Sequence, residues 1–85
     1  MAIQETITGT SEGTEVNPIE TTSSYTIGTI TGAGRVELQH KAPGVDRWVT
    51  LAVGGDSPVL TPDPAYLYRF ASYGVTVPVQ TYFGP

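Results

Sequence analysis

A serine or threonine nucleophile needs an imidazole to take its proton and a carboxylate to orient that imidazole. Hydroxyls are plentiful in this 85-residue chain, but it has a single histidine, His40. That residue shares its alternation with Val36 and Leu38, the inward parity of a strand, so it reads as a packed or interface histidine and not as a base. Two carboxylates flanking a bond could perform glycoside hydrolysis. Asp46, Asp56 and Asp63, however, stand in Gly-, Ser- and Pro-containing stretches where aspartate accepts from backbone amides and shapes turns. Asp56 and Asp63 also lack the Asp-x-Asp-x-Asp-Gly spacing of a calcium loop. With no cysteine there is no disulfide or thiolate site, and one histidine cannot build a zinc site. Gly32-Ala33-Gly34 leads into a strand, whereas a phosphate cradle needs a following helix N-terminus. The chain is therefore expected to have no catalytic residues, metal or cofactor and to be no enzyme.

The aromatic residues are the other candidates. Trp48, Tyr66, Tyr68, Tyr73, Tyr82 and Phe83 could present flat faces to a sugar, or could fill a core or a self-interface, for which tyrosine and tryptophan are well suited. Trp48 alternates with Val49, Leu51 and Val53, so one of those two faces must be exposed or covered by a partner. Arg69, set among the rings, is expected to stack on one or to pair with Glu37.

Charge narrows the partners. The net charge is −4 and the only basic residues are Arg35, Lys41, Arg47 and Arg69, which argues against nucleic acid, whose phosphates call for clustered Lys and Arg. No segment approaches the ~20 apolar residues of a membrane-spanning helix, and Met1–Glu5 lacks the basic start and apolar run of a secretory signal. Cytosolic synthesis and no membrane partner are the expectation. Glu5, Glu12, Glu15 and Glu20 lie in the first quarter without one base, while the remainder is balanced. The N-terminal segment is thus physically distinct.

The elements that must position these residues are strands. No stretch carries apolar residues at i, i+3, i+4 and i+7, ten glycines and seven prolines punctuate the chain, and threonine, valine and tyrosine are abundant. Alternation predicts strands over Ala2–Thr8, Tyr25–Thr31, Arg35–Lys41 and Arg47–Val53, with Val49, Leu51 and Val53 inward. It predicts a short strand at Val59–Thr61. It then predicts Tyr66–Ser72 and Val75–Phe83 as two strands joined by a turn at Tyr73-Gly74. Pro78 lacks an amide hydrogen, so the last strand should be an edge or bulged there. Such spacing predicts an all-β fold, a small antiparallel β-sandwich or barrel of six to seven short strands. Residues 25–85 form the body, and residues 1–24 an acidic, Thr/Gly-rich arm.

Residues 35–83 resemble small β modules of tailed-bacteriophage virion proteins. The resemblance rests on Arg35-Val36-Glu37-Leu38-Gln39-His40, a turn, Arg47-Trp48-Val49-Thr50-Leu51, a glycine turn, and Leu67-Tyr68-Arg69-Phe70 before a valine-rich closing hairpin strand. It implies a virion accessory protein: a capsid decoration or cement protein, or a head or tail fibre base, present in many copies with arms laid over neighbours. Its partners would be other virion proteins, the major capsid protein first, and further copies of itself. Ile3, Ile7, Val16 and Ile19 in the arm and Trp48, Tyr73, Tyr82 and Phe83 on the body are the expected contacts. The alternative expectation is a carbohydrate- or receptor-binding module of a fibre or tail, with an exposed coplanar pair of aromatics.

Overall fold

The computed structural model describes residues 3–17, 23–60 and 62–85, and the backbone alone over 56–60. Among these residues the chain is all-β and antiparallel. It comprises β1 (Ile3–Glu12), β2 (Ser23–Ile27), β3 (Arg35–Lys41), β4 (Val49–Val53), β5 (Gly55–Leu60) and β6 (Leu67–Gly84). The sheet runs β4-β3-β6-β2-β5, and β1 pairs with the remaining edge of β6. It does not close.

The largest departure from expectation is β6. Tyr66–Ser72 and Val75–Phe83 are not two strands around a turn but parts of one 18-residue strand. Fully extended, such a strand would measure about 60 Å at roughly 3.3 Å per residue. The longest dimension of the molecule is 34 Å, so β6 must bend. The bend lies at Gly74, whose φ is +64°, where Tyr73 and Gly74 occupy the space opposite a single β1 residue between Ser11↔Ser72 and Gly9↔Val75. A bulge of this kind kinks the strand and reverses its side-chain parity. Before the corner Tyr68, Phe70 and Ser72 are buried; after it Val75, Val79, Thr81 and Phe83 are. Pro78 falls in a second irregularity, between Ile7↔Val79 and Gly9↔Val75, in agreement with its missing amide.

The bend folds the sheet over on itself. β3 pairs with residues 67–73 of β6 and β2 with residues 81–84, so the two halves of one strand carry two facing parts of the sheet. Tyr68 and Phe83 stack with ring centroids 5.3 Å apart. Around them pack Ile7, Val16, Ile27, Val36, Leu38, Phe70, Val75 and Val79. Residues 3–17, expected in an arm, lie against the body: β1 runs along β6, and Val16 exchanges both backbone hydrogen bonds with Tyr68 at 2.8 Å. The Glu5 carboxylate ties the ends of this segment together by accepting from the Thr14 amide at 3.2 Å and from its hydroxyl at 2.9 Å.

β4 also differs from its sequence pattern. Val49, Leu51 and Val53 point out, 49%, 43% and 60% exposed, while Ala52, opposite Leu38, packs on the core. The alternation is broken within the strand: Val49 stands opposite His40 on one face and Val53 opposite Glu37 on the other. β4 is the last strand of the sheet, and a register shift opposite Leu38 and Gln39 leaves Leu51 without a β3 partner. Only Gly54 separates β4 from β5, although the two stand at opposite ends of the sheet order. Gly54, in a stretch whose glycines, Asp56 and Pro58 favour a turn, is therefore a one-residue corner joining the two ends of a curled sheet.

Gly34 closes the bend from outside. A Cβ placed on it would lie 2.5 Å from the Gly74 carbonyl oxygen, and its own φ is +98°. Both features exclude a side chain. Gly34→Ala should cost about 3 kcal/mol or more, read as a lowered urea midpoint; a midpoint within the error of the parent would show that the corner is not packed as described.

Candidate functional site

Alternation along β3 turns Val36 and Leu38 to the core and Arg35, Glu37, Gln39 and Lys41 outward. The register with β6 sets Arg35 opposite Tyr73, Glu37 opposite Ala71 and Gln39 opposite Arg69. The neighbouring β4 adds Thr50 opposite Gln39, and Trp48 just precedes it. Three of the four bases and two aromatic rings thus share one outer face.

Long side chains lie flat over this face. The Arg35 guanidinium sits 4.3 Å from the Tyr73 ring centroid and that of Arg69 4.1 Å from Trp48, with the Lys41 ammonium 5.3 Å from the same indole. Such contacts are worth about 0.5–1 kcal/mol at exposed sites and more once desolvated. Beneath the cover Glu37 and Gln39 are only 7% and 5% exposed. Glu37 accepts from Arg35 Nε at 2.8 Å, Thr50 Oγ1 at 2.7 Å and Gln39 Nε2 at 3.0 Å. Gln39 also donates to the Tyr73 hydroxyl at 3.0 Å and accepts from Arg69 Nε at 2.9 Å. Arg69 reaches Glu12 of β1 at 3.1 Å. One connected network therefore spans β4, β3, β6 and β1.

This arrangement can recognise or brace, but it is ill suited to proton transfer. The Arg35 hydrogen bond, seconded by Thr50, holds the Glu37 carboxyl below the usual carboxylate range against the opposing effect of burial. His40 lies on the other face, 4.8 Å from the Tyr66 ring and 5.8 Å from that of Tyr68. Among the described residues no three His, Asp or Glu side chains converge as a metal site would require.

The residues expected to make partner contacts are scattered. Trp48 and Tyr73 belong to the polar face. Ile7, Val16 and Phe83 are buried in the chain's own core, and Ile3 packs partly buried against it. Tyr82 is half-buried and donates to the Pro85 carbonyl at 2.6 Å. Ile19 lies outside the described residues. Arg69 does stack on a ring, but its carboxylate partner is Glu12, and Arg35 takes Glu37. The network was missed because its signal, the polar alternation of residues 35–41, does not reveal which strands lie beside it.

Comparison with known proteins gives no counterpart: no protein-family model, curated protein or solved structure matches the chain.

Because the folded-state pKa of Glu37 lies below its ordinary value near 4.5, its stabilisation is complete above that value and is lost as pH falls through the folded pKa. Glu37→Gln should lower the melting temperature at pH 7 and flatten the acid limb of the stability curve below about pH 4.5. Parallel curves for parent and variant would contradict this.

Proposed function

We propose that the chain is a structural protein of a virus particle, a capsid decoration or cement protein that binds other virion proteins, chiefly the major capsid protein, and copies of itself. The observation that carries this reading is apolar surface left outside a small, well-filled body. Val45, Val49, Leu51 and Val53, within nine positions of one another in and just before β4, are between 43% and 60% exposed, although the same chain buries its core aromatics almost completely. Large apolar side chains left exposed around an edge strand are candidate contact points. The resemblance of residues 35–83 to phage virion modules supplies the setting: a particle assembled in the host cytoplasm.

In this reading the folded sheet serves as a compact sandwich-like body, and the accessible members of the expected contact set, Ile3, Trp48, Tyr73 and Tyr82, meet neighbours. The mechanism is mechanical. Each contact that buries apolar surface contributes about 25 cal/mol per Å², and binding only the assembled form shifts the shell toward that form. Repetition over many copies turns modest contacts into reinforcement.

The second reading, a carbohydrate- or receptor-binding module of a fibre or tail, is favoured by Trp48 and Tyr73 standing on one face beside Gln39 and two arginines. Against it, a guanidinium already covers one side of each ring.

The test is quantitative mass spectrometry of gradient-purified phage particles from cells that make this chain, paired with deletion of its gene. Many copies per particle, and heads that rupture at lower temperature without it, are expected. Absence from particles contradicts the proposal, and specific glycan binding by the free chain would favour the second reading.

A further inference from the structure

β1 lies off the main path of the sheet. Among the described residues it pairs with β6 and with no other strand, and the order β4-β3-β6-β2-β5 is complete without it. Its hold on the body is thin: of its ten residues only Ile7 is buried, and its ladder slips twice around Gly9. Beyond it, Val16 bridges Tyr68. Residues 3–17 are tied to one another, by Glu5 to Thr14 and by Ser11 Oγ to the Thr8 carbonyl at 3.3 Å, so they can leave as a unit. Their departure would uncover the edge of β6 from Tyr68 to Phe83, a row of free amides and carbonyls beside an opened core. Such an edge pairs with whichever strand fits it.

We infer that β1 is exchanged between copies, residues 3–17 of each chain taking the same seat on β6 of the other. This rests on the self-association in the reading above and names the contact that makes it. The occupant is fixed by what the seat already holds. Ile7 and Val16 fill the core, and Glu12 meets Arg69 at 3.1 Å. Thr10 Oγ1 accepts from the Gly74 amide at 2.9 Å, and Asn17 Nδ2 donates to the Pro64 and Tyr66 carbonyls at 2.7 and 2.9 Å. A second copy brings every one of these groups in register. Exchange therefore loses no contact and adds whatever the two bodies bury between them, a low-cost route to a closed dimer. Five residues, 18–22, join Asn17 to Ser23, a reach of about 20 Å at full extension. A connector that short sets the two bodies side by side, and short connectors invite exchange. No other described strand is so placed: β2 to β5 are held by the chain at both ends, and β6 is the centre of the sheet. Ile3, Ile7 and Val16, the arm contacts expected from the sequence, are then core residues and partner contacts at once.

Introduced thiols test this in the full chain, which has no cysteine of its own. Thr6 and Gln80 are exposed Cα partners across β1 and β6, and two thiols bond only where their Cα atoms lie within about 7 Å. Thr6→Cys and Gln80→Cys are made in separate chains, mixed at high concentration and oxidised. Exchange predicts a covalent pair of unlike chains, formed at least tenfold faster than when Thr6→Cys is mixed with Asp46→Cys, an exposed site that reports random collision. A rate no higher than that control overturns the inference. So does failure of the double variant, with both substitutions in one chain, to form the bond at all, since β1 would then not occupy its seat. Presence of the non-exchanging chain in phage particles would show that the assembly reading survives that failure.

Discussion

Everything in this molecule hangs on a bend in one strand. β6 is long enough to pair with β1, β2 and β3 in turn, and flat it would leave a thin sheet with no interior. The corner at Gly74 brings its halves face to face, and only there can Tyr68 and Phe83, fifteen positions apart, stack in one core. The corner imposes its own condition, since Gly34 must approach the Gly74 carbonyl so closely that no side chain fits between. Local backbone freedom at two positions thus decides whether a hydrophobic core exists at all.

From the bend follow two unlike faces. The inner one is apolar and closes by packing. The outer one over β3 and the first half of β6 is polar yet covered, with a carboxylate and an amide lying under two arginines, a tyrosine and a tryptophan. A buried charge is tolerated when its hydrogen bonds are filled, and Glu37 has three donors. The network runs across four strands, so it fixes their register from outside while the core does so from within. A chain with no disulfide has few other means of holding a small sheet in one alignment.

The all-β class, the inward role of Val36 and Leu38 and the turn at Asp63, whose carboxylate accepts from the Ala65 amide, were legible because strand alternation and turn chemistry are local properties; Asp56, expected in a turn, lies within β5. The continuity of β6 was not: Tyr73-Gly74 looks the same whether the chain reverses or merely bends, and the choice lies with distant Gly9 and Gly34. The outward direction of Val49, Leu51 and Val53 was hidden for a related reason. Alternation along β4 shows neither the bulge that turns Val49 and Val53 to opposite faces nor that this strand ends the sheet. The polar network lay in plain sight as Arg35, Glu37, Gln39 and Lys41, while its partners Arg69, Tyr73 and Thr50 became visible only with the register.

Function in this account resides in surfaces: a braced polar face, and an edge whose apolar residues have been left outside. Both depend on β6 being one bent strand. Nuclear Overhauser contacts between assigned backbone and ring protons test that most directly. The bent strand requires Tyr68 to sit across from Val16 and His40, Phe83 across from Ile3 and Tyr25, and ring protons of Tyr68 and Phe83 to lie in contact. A set of cross-strand contacts pairing Tyr68 with Val79 and Phe70 with Val77, as a hairpin turning at Tyr73-Gly74 would give, contradicts the account.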